Sequence, residues 1–196
     1  MIMPSPVGHS MIGLGVGILY AWPRGATFRS FPEWVKRHRL PLFLAILFAN
    51  LPDIDYVPGI LTGDLNAYHH QFTHTLGWIV LVAAGTWTIW KAYHPTVGAK
   101  EAVFILACLA GHLVADWLTD DSSYPFGIMM WWPFSSAYTM APQHIFPRPM
   151  KEDWGEVFDW HNVWVVWMEF LITAPLVLVV LIVKRFSNKR FPASLR

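Results

Sequence analysis

A single cysteine, Cys108, is the only thiol in this chain. An internal disulfide is therefore excluded, and so is a metal site built on thiolates. Charge is also scarce. Asp, Glu, Lys and Arg make up 14% of the 196 residues, against roughly 25% in an ordinary soluble domain. The formal balance is only +1, which gives no reason to expect nucleic acid as a partner. No internal repeat and no low-complexity stretch occurs. What is present is apolar: 55% of the residues are hydrophobic, with 12 Trp and 13 Phe. This composition predicts one membrane-embedded, all-α domain spanning residues 1–196.

Apolar stretches near spanning length lie at about 6–22, 40–60, 74–93, 99–119 and 161–184. A crossing helix needs about 20 residues, so the reading is a polytopic bundle of about five transmembrane helices. Basic residues set the direction. Arg24, Arg29, Lys36, Arg37 and Arg39 fall between the first two stretches, and Lys91 and Lys100 between the third and fourth. Lys184, Arg185, Lys189, Arg190 and Arg196 form the tail. With five alternating helices, twelve of the fourteen Lys and Arg share one side, leaving Arg148 and Lys151 opposite. That predicts an outer N-terminus, a cytoplasmic C-terminus and basic inner loops that meet anionic lipid. Asp53, Asp55, Asp64, Asp116, Asp120, Asp121, Glu152, Asp153, Glu156 and Asp159 map to the outer half. Residues 120–160 form an aromatic-rich outer segment with Trp131, Trp132, Trp154 and Trp160, and are read as a loop or lid over the outer face.

Five polar clusters gather at that outer edge: Gly8-His9-Ser10, Pro52 to Asp55, His69 to His74, Gly111 to Asp116, and Asp120-Asp121. Ionisable groups at membrane depth are costly and mark functional sites by default. His112 and Asp116 are four apart and share one helix face; Asp120 extends that stripe if the helix continues. His70 and His74 have the same spacing. Thr73 is a candidate helix cap, which would leave His69 and His70 in the preceding loop, and spacing does not choose between them. Pro52 predicts that the helix unwinds at Asp53 and Asp55, as backbone lining a cavity can. The metal-ligand candidates are His9, Asp53, Asp55, His69, His70, His74, His112 and Asp116.

Imidazole and carboxylate without thiolate suit zinc, manganese or iron(II). So many ligands exceed the needs of one tetrahedral ion and fit a two-metal site instead. In such a site Asp116 is the candidate bridging carboxylate, and Asp55 or Asp120 the general base. Glu169 is the one acid inside the fifth stretch; it either supports the site or bonds another helix. His144 and His161 are on the outer side without a motif, while His38 and His94 fall at the cytoplasmic side and are expected to be solvated.

In this order, the motifs Gly8-His9, Leu51-Pro52-Asp53-Ile54-Asp55, His69 to Thr75, His112 to Thr119 and Trp132-Pro133 resemble those of the LexA-regulated, YdjM-like family of membrane-bound metal-dependent hydrolases. That family is in turn similar to zinc-dependent phospholipase C and related single-strand nucleases. The resemblance implies that His9, Asp53 or Asp55, His69 or His74, His112 and Asp116 hold the metals. The family often has histidine after Asp-Ile-Asp, where this chain has Tyr56. The soluble enzymes add a late His-x-x-x-Glu pair, whereas His161 is followed at that spacing by Val165.

The expected activity is hydrolysis of a lipid phosphate ester in the outer leaflet of a bacterial or archaeal cell membrane. Two zinc ions are expected, with manganese or iron as alternatives. The substrate, a phospholipid or lipid phosphate, is expected to enter sideways from the bilayer. A metal-binding transporter without hydrolysis is the second reading. It requires polar groups toward the cytoplasmic half, and the inner halves of the third to fifth stretches are almost purely apolar.

Overall fold

The computed structural model describes residues 4–22, 31–64, 67–121, 126–150 and 154–187. Arg24, Arg29, Lys151, Glu152, Asp153, Lys189, Arg190 and Arg196, part of the charge pattern above, lie outside them. The described chain is helical: α1 (Pro6–Ala21), α2 (Phe31–Arg37), α3 (Arg39–Asn50), α4 (Tyr56–Thr62), α5 (Leu76–Tyr93), α6 (Ala99–Trp117), α7 (Trp154–Val157) and α8 (Trp160–Ser187). Two 3-10 turns, Leu51–Asp55 and Phe72–His74, join these elements. Among the described residues there is no strand, only isolated bridges between Thr119 and Phe146 and between Ile128 and Thr139.

All five apolar stretches are helical. By length and composition, Arg39–Thr62 and Trp160–Lys184 suffice to cross a membrane, and Pro6–Ala21 is a shorter apolar helix. Large apolar side chains stand exposed along α5, α6 and α8, among them Leu81, Ile89, Val103, Leu176 and Val179. Soluble monomers rarely present apolar surface on that scale.

Ser5 starts α1 by accepting from the Val7 amide at 3.3 Å, with Pro6 at the first helical position. Proline has no N–H to lose there, and its fixed φ suits the first turn. Gly13 and Gly17 face α3. A Cβ at Gly13 would lie 2.6 Å from the Ala45 carbonyl oxygen, and one at Gly17 would lie 3.0 Å from Ala45 Cβ. Small residues at this spacing let two helices approach closely when apolar driving force is weak, as it is in lipid. The α1–α3 crossing brings His9 and the carboxyl end of α3 to the same depth.

α6 is the central helix. Its buried residues, Phe104, Ile105, Cys108, Leu109, His112, Leu113, Ala115 and Asp116, form one stripe that is apolar below and polar above. Ala45, Phe48, Ile79 and Ala83 complete the core beneath the polar end. α8 packs chiefly along α1, where Val177, Val180 and Leu181 meet Ile18, Trp22, Trp34 and Leu42.

The segment after α6 returns to the start of α5 and closes it. Thr75, not Thr73, caps this helix, accepting from the Trp78 amide at 3.1 Å. The Leu76 and Gly77 amides donate to the Met130 and Trp132 carbonyls at 2.8 and 2.9 Å. Four N–H groups at a helix start have no intrahelical partner, so the loop satisfies two of them. Gly77 is required there, because an added Cβ would lie 2.6 Å from the Trp132 ring.

Candidate metal centre

Two breaks in helical regularity help bring the polar residues together. α3 stops at Asn50, and the 3-10 turn after it carries Asp53 and Asp55 inward. A second turn delivers His74 just before α5. His9 lies in the first turns of α1, and His112 and Asp116 lie one turn apart near the end of α6. His9, His69, His70, His74 and His112 are all essentially fully buried. Buried ionisable groups at this density are costly unless paired or bound to metal.

The hydrogen-bond network fixes the tautomers. His112 Nδ1 lies 2.7 Å from the Ala49 carbonyl oxygen. A carbonyl only accepts, so Nδ1 holds a proton and, in the neutral ring, Nε2 is bare. His74 Nδ1 lies 3.1 Å from Asp55 Oδ2 and 3.0 Å from Thr73 Oγ1. Thr73 spends its own proton on Asp55 at 2.7 Å, so Nδ1 is again the donor and His74 Nε2 is bare.

These two nitrogens face each other at 3.1 Å. Asp116 Oδ2 lies 3.0 Å from His112 Nε2 and 3.4 Å from His74 Nε2. Asp53 Oδ1 lies 3.6 and 3.7 Å from the same two atoms. Four lone pairs therefore converge with no proton among them in the neutral tautomers. A tetrahedral ion with bonds of about 2.0–2.2 Å needs ligand edges of about 3.3–3.6 Å; the edges among His74, His112 and Asp116, and from Asp53 to the two nitrogens, bracket that range, and His74-His112-Asp116 and His9-Asp53-His112 each offer ligand atoms within 4.8 Å of one another. Both Asp116 oxygens and Asp53 Oδ1 are buried without a hydrogen-bond partner, as expected of groups reserved for a cation.

His9 approaches from the other side. Its Nε2 is 3.3 Å from Asp116 Oδ1, and its ring stacks on His112 with centroids 3.8 Å apart. Neither ring nitrogen of His9 has a hydrogen-bond partner. Asp116 thus points one oxygen at His9 and the other at His74 and His112.

Asp55 sits one layer out. Oδ1 accepts from His69 Nδ1 at 2.7 Å, while Oδ2 serves Thr73 and His74. Carboxylates that hold a ligating histidine in this way orient its ring and raise its basicity. His69 also stacks on Tyr56 with centroids 3.9 Å apart. His70 has φ +64°, a left-handed conformation that costs a non-glycine residue about 1 kcal/mol or more. Its Nδ1 lies 3.8 Å from Asp121 Oδ2. His69, His70 and His74 offer ligand atoms within 4.8 Å of one another, as do Asp53, Asp55, His69 and His74. Buried His/Asp groups able to hold a metal ion are thus present, and both His69 and His70 lie in them.

Several residues fall elsewhere. α6 ends at Trp117, so Asp120 leaves the stripe; it is half-exposed and pairs with His144 at 3.4 Å. His161 bonds the Arg148 carbonyl at 2.6 Å. Glu169 is buried and bonds another helix: it accepts from the Ser5 amide at 2.7 Å and from the Ser5 hydroxyl, anchoring α1 beneath His9. His94 is exposed, whereas His38 is half-buried and stacks on Trp34. Sequence reasoning missed Thr73 as a proton donor to Asp55 and missed the Ala49 carbonyl. The first carried a signal in its place beside His74; a backbone carbonyl carries none.

No curated protein and no solved structure matches the chain. The family model described as YdjM inner membrane protein matches residues 3–189. A match over nearly the whole chain, with its apolar helices and buried His/Asp groups, places this protein in the YdjM inner membrane protein family.

Proposed function

We propose that this protein is a metal-dependent hydrolase that cleaves a phosphate ester of a membrane lipid on the outer side of the membrane. The reading is carried by the two bare Nε2 atoms of His74 and His112, which face each other at 3.1 Å beside Asp116 and Asp53. Divalent cations bound here would polarise the phosphoryl oxygens and make water a nucleophile near neutral pH. His74, His112, Asp116 and Asp53 would hold the first ion. Asp116 would reach toward a second, with His9 on its far side. Asp55 keeps His74 and His69 in their working tautomers and is better placed to orient than to act as base. Asp120 lies half in solvent beside His144, off the α6 stripe.

Charge balance supports two cations. Asp53, Asp55, Asp116 and Asp121 bring four carboxylates to one depth, which two divalent ions neutralise. Zinc suits the donor set best, with manganese or iron(II) as alternatives. Lipid as substrate follows from the depth of His112 in an apolar helix and the exposed apolar surface around it. Five spans with the N-terminus outside is the topology that puts twelve of the fourteen Lys and Arg on the cytoplasmic side. Among the described residues the packing beneath the site is apolar, with Phe104, Ile105 and Leu109 buried, which disfavours transport.

The test is metal analysis of purified protein, combined with release of water-soluble phosphate compounds from phospholipid or phosphatidic acid vesicles. Bound zinc or manganese with metal-dependent release is expected. Protein that takes up no metal on reconstitution would defeat the proposal.

A further inference from the structure

Asp53 is the one residue of the first metal position with measurable exposure, its side chain 15% accessible where His74, His112 and Asp116 are at zero. It also lines a cavity of about 280 Å³. The cavity lies between Pro4-Ser5-Pro6 at the start of α1, Tyr56 at the start of α4, Met150 in the returning loop, Val157 at the end of α7 and Val165 and Val166 in the first turns of α8. Its walls are almost wholly apolar, and the Asp53 carboxylate is the charged group in them. Asn162, the remaining amide there, spends its side chain on the Met150, Glu156 and Val157 carbonyls and the Met150 amide. It braces the rim.

α8 packs chiefly on α1, and the cavity occupies the gap between it and the start of α4. Both helices carry exposed apolar side chains, Val57, Ile60 and Leu61 on α4 and Trp164 and Trp167 on α8. A polar substrate arriving from water would not need such side chains.

We propose that this gap is a lateral port, and that the cavity receives the phosphate ester and first methylenes of an acyl-chain amphiphile, with the phosphate toward Asp53 and the chain trailing out between α4 and α8. That the phosphate lies toward Asp53 rests on the divalent cation proposed there, and that it is cleaved rests on the hydrolase reading; the apolar path of the chain rests on neither. At about 30 Å³ per water-sized group, the volume takes about nine such groups. This suffices for a phosphate ester and a short run of methylenes, and is too small for two whole acyl chains.

The test uses full-length protein in phosphatidylcholine nanodiscs with a phosphatidic acid bearing a diazirine near the acyl carbonyl. Cross-links are mapped by mass spectrometry and metal content is measured in parallel. Cross-links should concentrate on Met150, Val157, Val165 and Val166. Unlabelled phosphatidic acid should compete and inorganic phosphate should not. Val166→Trp fills the cavity and should cut cavity cross-linking at least tenfold with metal content unchanged. Val179→Trp, the same bulk at an exposed position of α8 more than three turns from the cavity, should leave it intact. Cross-links spread over the exposed apolar faces and indifferent to Val166→Trp would overturn the port, as would full competition by inorganic phosphate. Cavity cross-linking without phosphate release in zinc or manganese would defeat hydrolysis and leave the port standing. Release without cavity cross-linking would do the reverse.

Discussion

Replacing His112 with Ala removes one of four ligands proposed for the first metal position. Structural zinc in a four-ligand site is bound by about 10–16 kcal/mol, which apportions to about 3 kcal/mol per ligand. At about 1.4 kcal/mol per tenfold, affinity should fall at least a hundredfold. The loss should exceed this simple share, because His112 Nε2 lies within 3.0–3.6 Å of three other groups, and Asp116, Asp53 and His74 would be left facing a void. His9 would also lose the ring it stacks on. The helix itself should persist: alanine is the better helix former, and the apolar stripe below His112 is untouched. The assay is metal retained after dialysis against a graded chelator series, with circular dichroism as a check on helix content. His94→Ala makes the same chemical change at an exposed turn and should retain full metal. Wild-type retention in His112→Ala, or equal loss in His94→Ala, would refute the assignment of His112 Nε2 as a ligand.

Three further outcomes follow. Asp55→Asn keeps the shape but weakens the proton acceptor that fixes His74 and His69; metal affinity should drop about 10–100-fold, less than for His112→Ala, by the same chelator assay. Gly77→Ala places a methyl 2.6 Å from the Trp132 ring; overpacking of this kind costs about 1–3 kcal/mol, and hydrogen exchange should show residues 128–139 loosening while α6 stays protected. In a Cys108→Ser background, Asp64→Cys should react with an impermeant thiol reagent from outside and Ser187→Cys only from the cytoplasm; the reverse pattern would move the site to the inner leaflet.

Much of this protein follows from sequence because a membrane constrains a chain severely. Backbone groups in lipid must be satisfied internally, so long apolar stretches can only be helices, and all five are. Scarce charge makes each His and Asp conspicuous, so the clusters at His9, Asp53-Asp55, His69 to His74 and His112-Asp116 stood out without coordinates. Their roles did not. The i,i+4 spacing of His70 and His74 suggested a shared helix face, but they meet instead across a 3-10 turn and a left-handed His70. Asp120 continued the α6 stripe only while the helix lasted, and it ends at Trp117. Asp55 reads like Asp53 in sequence, yet one orients histidines and the other faces the bare nitrogens. Which ring nitrogen is bare depends on a carbonyl 63 residues away from His112, at Ala49. Local spacing encodes which residues neighbour one another along a helix; only the packing of α1, α3 and α6 decides which lone pairs meet.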